Sequence, residues 1–113
     1  MEKIKYLNNP FDTVIQATKE LYPGLRADIQ FDDRLRYFKF LFIRIGHCGE
    51  TWFPEDGSTP LINVSTNIPF RGMIDVLAHE LAYAAVGHGK GHGVEWRGAF
   101  EAIHKKYMEI LFR

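Results

Sequence analysis

Hydrophobic residues recur at three- and four-residue spacing in three stretches of the chain, and each stretch predicts an amphipathic helix. In the first, Phe11, Val14, Ile15, Thr18, Leu21 and Tyr22 follow Asn9-Pro10, a helix opener, and Pro23-Gly24 ends the run. The second, from about Arg71 to Val86, is rich in alanine and leucine, with Gly87 where a C-terminal cap belongs. The third carries Trp96, Phe100, Ile103, Tyr107 and Ile110 on one face. Between the first and second helices the pattern changes to β-branched and aromatic runs. Ala27 to Phe31 and Leu35 to Ile45, with a turn at Asp32-Asp33, predict a hairpin, and Thr51 to Phe53 predicts a short strand. Leu61 to Ser65 alternates as one more strand. The order helix, β-meander, helix, helix predicts an α+β fold: a single domain over 1–113 with helices on one face of a mostly antiparallel sheet.

Composition narrows the classes of function. A chain of 113 residues with 46% hydrophobic and 25% charged residues has the balance of one folded globular domain. Lys plus Arg and Asp plus Glu are both 14, so no overall basic field points to nucleic acid, which is not an expected partner. The pair Lys105-Lys106 reads as a solvated helix face with Glu101 and Glu109 nearby. No apolar run reaches the roughly 18 residues of a membrane span. With one cysteine, Cys48, and no leader-like pattern near the start, the expected location is the cytoplasm and no membrane is expected as a partner.

The candidate chemistry lies in Asp75-Val76-Leu77-Ala78-His79-Glu80-Leu81-Ala82-Tyr83, one residue short of the zinc-peptidase motif H-E-x-x-H. In that motif two imidazoles at i and i+4 share a metal, and the intervening Glu serves as general base for the metal-bound water. Nine residues after Tyr83, His92 stands in the glycine-rich segment Gly91-His92-Gly93, whose flexibility lets a chain fold back toward a helix end. His79 and His92 would leave positions for a third ligand and a water.

The run His79-Glu80-Leu81-Ala82, the later Gly91-His92-Gly93 and the aromatic Trp96 resemble the SprT-like metallopeptidases, whose motif helix carries H-E-L-x-H and whose third ligand lies in a G-H-G segment. The chain is also similar to the minigluzincins, single-domain zinc peptidases of about this length with the same element order. The specific likeness falls between Leu61 and Trp96. The resemblance implies a Zn2+-dependent endopeptidase with Glu80 as catalytic base and His79 and His92 as metal ligands. It further implies a peptide or protein substrate extended along Leu61, Ile62, Asn63, Val64 and Ser65 as the sheet edge.

Tyr83 departs from the pattern by standing where the second zinc-binding His belongs. A phenolate can bind zinc, but its oxygen reaches farther from the backbone than an imidazole nitrogen, and the free phenol has a pKa near 10. Three readings stay open: Tyr83 ligates the metal, His88 is recruited from the loop, or the site is inactivated. Glu95 would replace His92 as third ligand on the minigluzincin pattern. Tyr83 could also offer its hydroxyl to an oxyanion. A weakened or inactive site is the expectation, and the alternative function is a non-catalytic module that keeps the cleft to hold a peptide or protein. Trp96 is expected to anchor the last helix, Cys48 to be a small apolar side chain, and His47 and His104 to be structural or exposed.

Overall fold

The computed structural model describes residues 3–33, 37–40, 43–46, 48–87 and 93–113, with backbone alone for 37–40 and 43–46. Its elements run α1 (Pro10–Leu21), β1 (Asp28–Asp32), β2 (Tyr37–Phe40), β3 (Ile43–Gly46), β4 (Gly49–Trp52), β5 (Leu61–Ser65), α2 (Phe70–Val86) and α3 (Val94–Leu111). Three helices and a small mixed sheet make this an α+β domain. No helix among the described residues is long and apolar enough to cross a membrane.

All three predicted helices are present, and their local signals act as the chain implies. The Asn9 side chain accepts from the Phe11 N–H at 3.1 Å, and Pro10, which has no N–H to satisfy, occupies the first turn. Gly87 closes α2 at φ 92°, a left-handed backbone that favours glycine, and its N–H returns to the Tyr83 carbonyl at 3.0 Å.

The sheet differs from the predicted meander. β1 does not turn back into a hairpin at Asp32-Asp33; it pairs in parallel with β5, Ile29 beside Ile62 and Phe31 beside Val64. The predicted Leu35–Ile45 strand, where described, is itself a hairpin, β2 against β3, in a separate two-stranded sheet. β4 starts two residues earlier than expected and pairs antiparallel with β5, which gives the order β1-β5-β4. Leu61, Ile62, Asn63, Val64 and Ser65 therefore form the central strand, not the edge proposed for substrate. A strand hydrogen-bonded on both sides has no free ladder to offer a peptide. The reason is burial: Ile62 and Val64 are fully enclosed, and a strand carrying the core is most stable when flanked on both sides.

The core joins Ile62 and Val64 to Leu77, Ala78, Leu81 and Ala82 of α2, Val14 of α1 and Ile103 of α3. Alanine at 78, 82, 84 and 99 keeps the packed helix surfaces low, which permits α2 to be buried against both its helical neighbours and the sheet. Phe11 ties α1 to β1 and to the start of α2 through edge-on ring contacts with Phe31 at 5.0 Å and Phe70 at 5.2 Å. At the far end of α3, Arg113 and Lys106 meet Glu20 of α1, and the Arg113 hydrogen bond holds the Glu20 carboxyl below its ordinary pKa. Lys106 also pairs with Glu109 at 3.3 Å, so its charge is shared with two acids.

Candidate active site

The close approach of α2 to β4 builds the site. Gly49 makes it possible: a Cβ there would run into Val76 and lie 3.2 Å from the Asn63 carbonyl oxygen and 3.3 Å from Glu80 Cγ. With that space left open, Thr51 faces the helix two residues along the same strand face. Its hydroxyl donates to Glu80 Oε1 at 2.7 Å and lies 3.3 Å from the Glu80 carbonyl oxygen. A hydroxyl-to-carboxyl bond of this length is well formed, and it fixes the Glu80 side chain beside β4.

His79 is oriented by α3. Its ring lies 4.1 Å from that of Phe100 and 5.1 Å from that of Trp96, and Phe100 and Trp96 stack nearly parallel at 5.5 Å. The Trp96 indole N–H also donates to the His79 carbonyl oxygen at 3.1 Å, so Trp96 anchors the last helix as expected. His79 lines a groove with Asp75, Phe100, Glu101 and His104, and His104 is exposed as expected.

Tyr83 lines a different space. Its ring sits 5.6 Å from Phe53, and together with Thr51, Trp52, Glu55 and Asp56 it borders a cleft of about 650 Å3. The cleft follows β4, whose outer edge carries no pairing among the described residues. Beyond the strand, the Gly57 N–H closes a tight turn onto the Pro54 carbonyl at 3.2 Å, with Gly57 at φ 78°. Asp56 accepts the Ser58 backbone N–H at 2.9 Å, and the Ser58 side chain and backbone hold its carboxyl below the ordinary value of 3.8.

The remaining predicted ligands do not complete a set here. Glu95 is exposed in the first turn of α3, next to Trp96. His88 and His92 lie outside the described residues, as does His47. Cys48 is half-buried ahead of β4, and its carbonyl accepts from the Ser65 N–H. Among the described residues no three His, Cys, Asp or Glu side chains gather as a metal-binding group. The described residues by themselves therefore do not make the three-ligand zinc centre that the motif implies.

Sequence reasoning singled out His79, Glu80 and Tyr83 on α2 but missed Thr51 as a partner of Glu80 and Phe53 as a partner of Tyr83. The only signal was the short β-prone run Thr51-Trp52-Phe53, which predicts a strand but not what that strand touches. No protein-family model, curated protein or solved structure significantly matches the chain.

Proposed function

We propose that the chain is a zinc-peptidase-type domain that receives an extended peptide along the outer edge of β4, with hydrolysis attenuated by Tyr83. The observation that carries the reading is the hydrogen bond between Thr51 and Glu80, which presents the carboxylate of the His-Glu pair at the one edge of the β1-β5-β4 sheet that runs beside α2. A peptide adding to β4 would make main-chain hydrogen bonds to an open strand and pass directly by that carboxylate. Glu80 has one oxygen held by Thr51, and its role is to accept a proton from the attacking water. His79 would contribute to the metal, with His92, Glu95 or His88 beside it, and bound zinc would supply the acidified water. Tyr83 would give its hydroxyl to the developing oxyanion rather than replace a missing imidazole.

A second reading is a non-catalytic module that holds a peptide or protein in the same cleft. The packing of Tyr83 on Phe53 favours it, because position 83 then serves the wall of the cleft and not a metal.

Zinc content decides between the two. Elemental analysis of the purified protein should find clearly less than one zinc per chain, whereas Tyr83→His should approach full occupancy, with affinity higher by on the order of 10–100-fold. Peptide hydrolysis should appear or rise in that variant and vanish on adding Glu80→Ala. A Tyr83→His protein that holds zinc no better than its parent would overturn the zinc-site reading and leave the binding module.

A further inference from the structure

The cleft beside β4 has a chemical bias of its own. Three aromatic side chains, Trp52, Phe53 and Tyr83, line it together with two exposed carboxylates, Glu55 and Asp56, and no basic side chain is among the described residues that border it. Its volume, about 650 Å3, falls within the roughly 300–1,000 Å3 of ordinary ligand clefts. Trp52 keeps 61% of its surface exposed, which is unusual for so large a ring beside a strand edge. The carboxylates stand at the middle of a closed turn, and Asp56 is bonded to Ser58, so the negative charge is placed before any ligand arrives.

Aromatic faces beside fixed carboxylates favour one kind of side chain. The ring quadrupole attracts a cation, the apolar stem of Lys or Arg packs along the rings, and the carboxylates take the charged head. An acidic side chain would meet like charge, and a purely apolar one would leave the carboxylates without a counter-ion. The Ser58 hydrogen bonds hold the Asp56 carboxyl below its ordinary pKa, which favours the charged form that the cleft presents.

We propose that this cleft selects peptides by a basic side chain, Lys or Arg, seated against Trp52, Phe53 and Tyr83 with its charge at Glu55 and Asp56. The proposal rests on the reading of β4 as the peptide-binding edge, but not on zinc.

The test uses the full chain freed of metal by a chelator, so that the zinc question does not enter. Dye-labelled, end-blocked alanine heptapeptides whose central residue is Lys, Arg, norleucine or Glu are titrated by fluorescence anisotropy. Lys and Arg peptides should bind about fivefold to tenfold more tightly than the norleucine peptide, with Glu weakest, and the advantage should shrink as salt rises. In Glu55→Gln/Asp56→Asn, two exposed positions whose exchange leaves the core intact, the Lys and norleucine peptides should bind within about twofold of each other. Equal affinity for all four peptides, or a basic preference that survives the double substitution, would overturn the proposal and leave the peptide cleft standing. Failure of every peptide to bind would overturn the cleft reading along with it.

Discussion

The two sides of α2 are built on different chemistry. Toward α3, His79 is pressed against Phe100 and Trp96, and its carbonyl holds the indole N–H. Toward β4, Glu80 is held by a hydroxyl and Tyr83 leans on Phe53 over an open cleft. One side is an aromatic clamp closed on His79, and the other an open cleft lined by aromatic rings and two carboxylates. Helix geometry explains how neighbouring residues divide in this way. At about 100° per residue, position 83 lies about 40° around the helix from His79 and about 60° from Glu80, so a side chain there can serve either side. The phenol at 83 lies on the β4 side, against Phe53.

Three substitutions would break or sharpen that contrast. The largest effect is expected at Trp96→Ala, which removes the clamp on the α3 side. We expect a loss of about 2–4 kcal/mol in chemical denaturation, below that of a fully enclosed Trp because Trp96 is half-buried. A loss below about 1 kcal/mol would mean that α3 does not depend on this anchor.

Next is Gly49→Ala, on the β4 side. Its methyl group would meet Val76 and crowd Glu80, so stability should fall by about 1–3 kcal/mol. Peptide affinity at the cleft should fall with it, because α2 must move off the strand. A neutral outcome in both measurements would show that the contact between α2 and β4 tolerates extra volume.

The smallest effect is expected from Thr51→Val, which keeps the shape of the side chain and deletes the donor. Stability should change by about 1 kcal/mol, since Glu80 can turn to water. Hydrolysis by the Tyr83→His protein, in contrast, should fall clearly when Thr51→Val is added, because the carboxylate loses its orientation. Unchanged hydrolysis would separate Thr51 from the positioning of Glu80.

How much of this was legible in the chain differs from one element to another. α1 and α2 began and ended within a residue or two of their predicted bounds, because the apolar period, Asn9-Pro10 and Gly87 all act within a few residues of where they stand. Leu61–Ser65 was equally clear as a strand, and Trp96 as an anchor. The partners of the strands were not. Asp32-Asp33 is a plausible turn, yet β1 instead runs parallel to a strand more than thirty residues downstream. For the candidate site, the His-Glu pair and Tyr83 stand out through the near-match to H-E-x-x-H together with Gly91-His92-Gly93 and Trp96, while Thr51, Phe53 and the acidic turn at Glu55 and Asp56 carry no motif.

The sequence by itself determined the helices, the strand segments and the side chains available for chemistry, because those depend on local period, capping and residue type. Only the tertiary structure decided that β5 is enclosed, that the outer edge of β4 is unpaired among the described residues, and that Glu80 and Tyr83 turn toward β4 while His79 turns toward α3. The physical reason is that strand order and side-chain partners follow from which apolar faces bury one another across the whole chain, and no local pattern records that competition.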